Sequence, residues 1–260
     1  LLNPRQLSIR SYRHDKENPS SLSYNPVNAI YEDAYGTLWV GTVEGGLNRK
    51  ERNSEDFTHY TREHGGLSHN SVSALTSDAD THLWIGTWGG GLNLLDLKAP
   101  RQIQEVISSQ TSGGFPINFI GVLNYDPINK GIWIGANQGL YFYDPIKKEI
   151  TAPLPDKIAE NIHGCIGSII DKEGKLWVGC LEGVYIIDLH SRSSKGEFQY
   201  RHLNYKLDDP SSRLIEKITC FYEGKDGTLW LGSNGYGIYQ RKIDAQGKEQ
   251  FISYSTAQGL

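Results

Sequence analysis

GTLWVGTVEGGLN, at residues 36–48, contains a Trp that is followed two positions later by a Gly. Four related stretches repeat this spacing: THLWIGTWGGGLN at 81–93, GIWIGANQGLY at 131–141, GKLWVGCLEGVY at 174–185 and GTLWLGSNGYGIY at 227–239. The five Trp residues are Trp39, Trp84, Trp133, Trp177 and Trp230, and they lie 45, 49, 44 and 53 residues apart. A period in this range is typical of solenoids and propellers.

Each repeat unit predicts four short strands. A mostly apolar run precedes each Trp and indicates a first strand buried on both faces. An Asp- or Gly-containing turn then leads to the Trp strand, and a second turn leads to a third strand. The fourth strands are FTHYT, IQEVI, EIT, FQYRHL and FISYS. Four antiparallel strands per unit predict an all-β fold, a β-propeller of five four-stranded blades that occupies residues 1–260 as one region without a second domain.

The ends of the chain predict how the blades are arranged. The stretches LSIRSY (7–12) and FISYSTAQGL (251–260) both have the pattern of a fourth strand, which gives six outer strands for five sets of inner strands. A ring that is sealed by its two ends needs complementary strands rather than duplicates. The chain is therefore predicted to be a slice of a larger propeller, with a five-bladed closed ring as the alternative.

The repeated residues are interpreted as structural. Each Trp is expected to pack against the neighbouring blade, and each Gly two residues later is expected to leave room for it. Asp33, Asp78 and Asp171 recur in the turn before the Trp, where Asp can bond its own backbone. Cys165, Cys180 and Cys220 form no CxxC pair and are interpreted as small buried fillers, with a disulfide or metal site as the alternative.

Composition and charge narrow the classes of function. The net charge of −4, without a Lys/Arg cluster, argues against a nucleic-acid partner. No apolar run reaches 18 residues and the start of the chain lacks the pattern of a signal peptide, so no direct membrane insertion by this segment is expected. Motifs for phosphate loops, zinc or Ser nucleophiles are missing from the sequence, which predicts a segment that is non-catalytic and needs no cofactor.

The string D-x-x-G-x-L-W-[VI]-G-T-x-x-G-G-L-N, seen from Asp33 to Asn48 and again from Asp78 to Asn93, resembles the two-component regulator propeller repeat. In the second copy Thr81 replaces the Gly of the turn. Units three and four depart from the string at Ala136 and Cys180, which replace its Thr, and unit five has Gly224 in place of the leading Asp.

This resemblance implies a sensor module. Proteins of this kind carry propellers outside the inner membrane, followed by a β-sandwich, a membrane span and cytoplasmic histidine kinase parts. It implies a periplasmic location, an oligosaccharide released from a polysaccharide as ligand, adjacent sensor domains as partners and a homodimer in the intact sensor. Kinase motifs are absent from this segment. The alternatives are an enzyme on the same scaffold, a glycosidase or a lyase, and a pure protein-protein interaction scaffold.

Positions that differ between the units predict where a ligand is recognised, because variable loops on a rigid scaffold carry function. Trp88 is an extra indole on a Gly-rich turn, where the other units have Val43, Asn137, Leu181 and Asn234. Sugars stack on such rings, although Trp88 could also cover the neighbouring blade. The other ligand-binding candidates on this rim are Tyr24, His64, His69, Arg213 and Tyr236. His64 and His69 have no third ligand at a matching spacing, so no metal is predicted.

Overall fold

The computed structural model describes residues 10–78, 81–111, 113–155, 158, 161–194, 196–203 and 217–255. Twenty strands form five separate four-stranded antiparallel sheets, and each sheet contains four strands that are consecutive in the chain. The predicted all-β fold with four-stranded blades is therefore confirmed.

The strands follow the repeat unit by unit. Unit one contains β1 (Val27–Glu32), β2 (Leu38–Thr42), β3 (Leu47–Lys50) and β4 (Phe57–Tyr60). Unit two contains β5 (Val72–Ser77), β6 (His82–Thr87), β7 (Gly91–Asp96) and β8 (Glu105–Ile107). Unit three contains β9 (Ile120–Asp126), β10 (Gly131–Ala136), β11 (Gly139–Asp144) and β12 (Glu149–Thr151). Unit four contains β13 (Gly167–Ile170), β14 (Lys175–Cys180), β15 (Gly183–Arg192) and β16 (Phe198–Leu203), and unit five contains β17 (Ile218–Glu223), β18 (Leu229–Ser233), β19 (Ile238–Ile243) and β20 (Glu249–Tyr254).

The blades form an open arc. The first strands contact one another in the order β1, β5, β9, β13 and β17, so they line a common axis. Within the described ranges, no contact of comparable extent joins β17 back to β1. Alternate residues of β1 are exposed, as are alternate residues of β17. The chain is thus a slice of a propeller, and the prediction that every first strand is buried on both faces is wrong for the two end blades, since each has an open side.

Each repeated Trp packs between its own blade and the next one. Trp39 lies in a cluster with residues of unit two, Trp84 with unit three, Trp133 with unit four and Trp177 with unit five. These four rings are at most 2% exposed. No blade follows Trp230 among the described residues, and this Trp is only partly buried. The predicted role of the Trp residues is therefore confirmed for the four units that have a successor.

The repeated Gly is the point at which the next blade comes close to the Trp strand. A methyl group on Gly41 would overlap the side chain of Val72, and one on Gly86 would overlap Ile120. Both contacts are with the first strand of the following unit, not with the Trp ring. The Gly therefore lets the next blade approach the Trp strand closely, because no other residue type leaves the space that a Cβ would occupy.

A carboxylate joins the turn of each of the first four units to its Trp. The side chain of Asp33 accepts hydrogen bonds from the backbone N–H groups of Tyr35 and Thr37, and its second oxygen accepts one from Trp39 Nε1 at 2.8 Å. Asp78, Asp126 and Asp171 bind the indoles of their own units in the same way. Asp thus fixes the turn and also satisfies the buried indole donor, which the sequence reasoning did not anticipate.

The second turn explains why units three and four lack the Thr of the repeat. Thr42 Oγ1 donates to Gly46 O and accepts a hydrogen bond from Gly45 N, so the hydroxyl closes a three-residue loop. Ala136 pairs directly with Gly139 across a two-residue hairpin. In this shorter turn the two strands pair directly, so no side-chain hydroxyl is needed to close the loop and an apolar residue takes the place of the Thr.

Two further predictions need correction. LSIRSY does not form an outer strand in its described part, Arg10 to Tyr12; Tyr12 instead packs edge-on against Phe57, with ring centroids 5.5 Å apart. Cys165 and Cys180 are buried as predicted, but Cys220 is exposed. It lies on β17, the first strand of the end blade, where no further blade covers it.

An ion-pair network joins units four and five. Glu249, 15% exposed, lies 2.7 Å from Arg241 Nε and 2.6 Å from an Arg201 guanidinium nitrogen. Burial by itself would raise the pKa of Glu249, but hydrogen bonds and charge from the two arginines hold it below its ordinary value of 4.5. The network therefore stabilises this blade contact mainly when Glu249 is ionised.

We expect Glu249→Gln to lower the free energy of unfolding by about 1–2 kcal/mol at neutral pH. Because the folded-state pKa is lowered, the contribution is complete above pH ~4.5 and is lost as the pH falls through the folded-state value. Urea unfolding at several pH values measures it. Glu55→Gln removes an exposed ion pair with Arg10 and serves as the matched control, with no comparable effect. Equal losses in both variants would contradict the prediction.

Candidate functional site

Side chains converge on the axis where the first strands begin. The strand pairs of units one, two and three are interrupted by a β-bulge near this end, so that one residue of the first strand is left without a partner. These residues are Asn28, Ser73 and Gly121, and Ile166 of unit four holds the corresponding place. Bulges re-aim side chains next to binding sites. In this chain the bulges place residues of successive units around one opening at the end of the axis.

A cavity of about 420 Å³ occupies this end of the axis. It is lined by three kinds of element: the bulge residues, the turns that follow the Trp strands, and the connectors between blades. The lining residues are Asn28, Ser73, Trp88, Phe119, Gly121, Asn137, Gly164, Cys165 and Ile166. Two large rings, two amides and a hydroxyl thus surround a space within the size range of small-molecule sites.

The backbone holds these groups in place. Asn28 Nδ2 donates to Val72 O at 3.2 Å, and Ser73 Oγ donates to Ile120 O. Each bulge side chain is therefore tied to the first strand of the following unit. Gly121 carries no side chain because the carbonyl oxygen of Cys165 occupies the position that a Cβ would take. The wall of the cavity is accordingly shared between blades rather than built by one of them.

Trp88 stands at the edge of the cavity. Trp88 is 53% exposed, whereas Trp39, Trp84, Trp133 and Trp177 are buried. Its backbone N–H donates to Ser71 O, and a β-bridge joins it to Phe119. The ring is thus presented to solvent from a fixed backbone, which is the arrangement that an aromatic recognition group needs.

Phe119 is the main functional candidate that the sequence reasoning missed. It is 56% exposed and lies beside Trp88 on the cavity wall. The signal was available in the repeats: the residue before the first strand is Pro26 in unit one, Ser71 in unit two and Lys217 in unit five. An aromatic side chain at this place distinguishes unit three, as Trp88 distinguishes unit two.

Connector and turn side chains pair across the same rim. The Glu44 carboxylate is hydrogen-bonded to Tyr24 and raises the pKa of that phenol. In unit four, His163 Nδ1 lies 3.0 Å from Glu182 Oε1, and the backbone N–H of His163 donates to Glu182 Oε2. In unit two the turn residue is Gly89, whose φ of +131° lets the chain pass under the ring of His69.

The predicted site residues separate into those that the fold brings to the cavity and those that it does not. Trp88 lines the cavity. His69 packs against Gly89, the residue after Trp88, and is not among the lining residues. Among the described residues, Tyr24, His64 and Tyr236 are not part of the lining. His64 is exposed on the connector, with Nδ1 2.8 Å from Glu63 O. Arg213 lies outside the described residues.

Two chemical features bear on what the described part of the chain can do. In the described residues, no group of three or more His, Cys, Asp or Glu side chains is placed to hold a metal ion. None of the helices in this part of the chain has the length and apolar character to cross a bilayer.

Comparison with protein families finds the two-component regulator propeller model at residues 21–44, 66–89 and 214–235. Each match includes a Trp strand, and the first two also include Asn28, Ser73 and Trp88 of the cavity lining. No curated protein matches the chain in sequence.

Several solved structures share the fold. The extracellular domain described for the hybrid two component system BT4673 of B. thetaiotaomicron superposes with a TM-score of 0.70 at 21% identity, over 94% of this chain and 32% of that one. The corresponding domain of BT3049 superposes with a TM-score of 0.56 at 19% sequence identity, over 96% of this chain and 42% of that one. The β-propeller domain of Myceliophteria thermophila Cps50 (Swd1) superposes with a TM-score of 0.60 at 14% sequence identity, over 88% of this chain and 71% of that one. The present chain thus spans less than half of the two B. thetaiotaomicron domains.

Proposed function

Because this chain carries two-component regulator propeller repeats, we propose that it is the ligand-sensing propeller of a periplasmic sensor region in a two-component signalling protein, and that its ligand is an oligosaccharide. The observation that carries the proposal is the cavity at the axis, where Trp88 and Phe119 expose their rings beside amide and hydroxyl groups. The named B. thetaiotaomicron domains support the assignment to an extracellular sensor region.

The chemistry of the cavity suits a sugar. An exposed aromatic face stacks on the C–H face of a pyranose, and Asn side chains donate to and accept from its hydroxyl groups. Ser73 Oγ donates its proton to Ile120 O, so it can accept a hydrogen bond from a sugar hydroxyl. The exposed Asn137 lies on the turn of unit three and its backbone is held from both sides, by bonds to Phe119 O and from Gly164 N. A volume of about 420 Å³ accommodates a short oligosaccharide rather than a polymer.

Signalling follows from the shared wall. The lining residues come from four blades, so a bound ligand contacts all four and favours one arrangement of them. In the intact sensor this change would pass to adjacent sensor domains and, in a homodimer, to the partner subunit.

We propose that binding occurs without turnover. The cavity lining consists of apolar, amide, hydroxyl and thiol groups, whereas glycoside hydrolysis uses two carboxyl groups on either side of the scissile bond. The nearby His163–Glu182 pair bonds both Glu oxygens to one connector residue, which suits a structural bridge. Glycosidase or lyase action is the alternative, and chromatography of an incubated ligand detects it.

We expect Trp88→Ala to weaken oligosaccharide binding at least about tenfold while leaving the fold intact, because it removes an exposed ring from the cavity wall. The measurement is a thermal-shift screen of defined oligosaccharides released from plant and host polysaccharides, followed by titration calorimetry on those that bind. A ligand at ~100 times its Kd adds about 2.7 kcal/mol of stability, which such a screen detects.

Tyr236→Ala is the matched control. Tyr236 is another exposed aromatic residue on a turn after a Trp strand, 44% exposed, but it lies away from the cavity lining. Its removal should leave the affinity unchanged. Binding that survives Trp88→Ala would place the ligand elsewhere, and a protein that responds to none of the oligosaccharides would favour the protein-interaction alternative.

A further inference from the structure

Two buried thiols face each other beneath the cavity. Cys165 Sγ and Cys180 Sγ are 3.2 Å apart, and the two residues are 2% and 0% exposed. Cys165 ends the connector into unit four, and Cys180 ends the Trp strand β14. A disulfide bond requires about 2.05 Å between the sulfur atoms, so each would move by only about 0.6 Å.

The repeats show that this pair is particular to unit four. In the other units the same two places hold a β-branched residue and a small residue that pair across the first and second strands. The pairs are Val27 with Thr42, Val72 with Thr87, Ile120 with Ala136 and Ile218 with Ser233. Blade packing is therefore satisfied without sulfur, and unit four places Cys at both members of one facing pair.

We infer that Cys165 and Cys180 form a disulfide bond when the chain folds in an oxidising compartment. The bond would join two residues that are 15 positions apart in the chain and would tie the connector that lines the cavity to β14. Gly164 and Ile166, which flank Cys165, also line the cavity, so the cross-link fixes one wall of the site. The chemistry requires no glycan ligand and stands apart from the proposed sensing.

The reaction is a thiol–disulfide exchange with an external disulfide, such as oxidised glutathione or a dithiol oxidase. The thiolate of one Cys attacks a sulfur of the donor and releases one donor thiol. The second Cys then attacks the mixed disulfide and releases the other. The two protein thiols lose two electrons and two protons, and the donor disulfide is reduced to two thiols.

Burial predicts when the bond forms. A hydrogen bond with the Cys165 thiol, together with burial, raises the pKa of the Cys180 thiol well above its ordinary value. Because the thiolate is the attacking species, the folded reduced protein should exchange slowly. Oxidation should be fast during folding, while the blade is still open to solvent.

The test is to refold the reduced chain from urea in a mixture of reduced and oxidised glutathione. Free thiols are then blocked with N-ethylmaleimide in denaturant, and the intact mass is measured. Of the three cysteines, only the exposed Cys220 should be blocked, with the loss of two hydrogens. The reduced protein should accept three blocking groups. The oxidised form should melt roughly 5–10 °C above the reduced form.

Two variants serve as controls because the repeats supply tolerated replacements. Cys180→Ala copies Ala136 of unit three, and it should leave two thiols to be blocked under either condition, with no redox-dependent melting temperature. Cys220→Ala copies Ala29 and Ala74. After refolding in the glutathione mixture, its intact mass should still be lower by two hydrogens than that of its reduced form. Three blocked thiols in the refolded protein, or a cross-linked peptide that contains Cys220, would overturn the inference.

Discussion

Replacement of Trp133 by Ala should cost about 3–5 kcal/mol of unfolding free energy, the range for large aromatic residues removed from a core. The indole is 1% exposed, lies 5.3 Å from the Phe142 ring and 5.0 Å from the Phe198 ring, and donates to Asp126 Oδ2 at 3.0 Å. Truncation leaves a cavity between units three and four and also removes one of the hydrogen bonds to the buried carboxylate of Asp126. Urea unfolding followed by circular dichroism measures the loss.

Trp230→Ala is the internal comparison. Trp230 has the same place in the repeat, but it is partly exposed, has no following blade among the described residues and has Gly224 where the other units have Asp. Its one recorded ring neighbour among the described residues is Tyr254, at 5.7 Å. Truncation there should cost less than about 2 kcal/mol. Equal losses at the two positions would show that packing against the next blade is not what stabilises the repeat.

Replacement of Asp126 by Ala should cost about 2–4 kcal/mol, because it leaves several buried donors without an acceptor. This carboxylate is fully buried and accepts four hydrogen bonds, from the backbone N–H groups of Ile128 and Asn129, from Asn129 Nδ2 and from Trp133 Nε1. One side chain therefore fixes both the turn and the framework indole. Chemical denaturation of the single variant measures the loss.

Asp226→Ala provides the matched control for this turn. Asp226 is exposed, and among the described residues it accepts side-chain hydrogen bonds from the backbone N–H and the hydroxyl of Thr228, within its own turn. Asp226→Ala should lower the free energy of unfolding much less than Asp126→Ala does. In a double-mutant cycle, Asp126→Ala combined with Trp133→Phe should be less than additive, since both changes remove the same indole bond. Strict additivity would contradict the assignment of that bond.

The strands could be predicted closely because the repeat supplies five copies of the same pattern. The predicted strand FTHYT (57–61) forms β4 at Phe57–Tyr60, and EIT (149–151) forms β12 at Glu149–Thr151. The misplaced element was LSIRSY, whose described part packs Tyr12 on Phe57 instead of pairing as a strand. Alternation of large residues predicts a strand, but only the geometry of the neighbouring sheet decides whether an edge is free to accept it.

The candidate site was predictable only in part. Trp88 could be singled out because it departs from its counterparts in the repeat, and Phe119 could have been found by the same subtraction. Asn28 and Ser73 give no such signal, because their convergence depends on a bulge in each first strand. Tyr236 is also an aromatic residue on a turn after a Trp strand, but it holds a different place in the repeat and is not among the described residues that line the cavity.

By itself the sequence determined what depends on residues near one another in the chain: the strand order of each blade, the turns and the framework Trp at each blade interface. Tertiary structure was needed to distinguish the predicted slice from the closed ring. It alone decided that the repeated Gly admits the next first strand and that Cys165 faces Cys180. The reason is physical. Periodicity records which face of a strand is apolar, whereas an axis, an opening and a thiol pair arise only when separate blades are packed against each other.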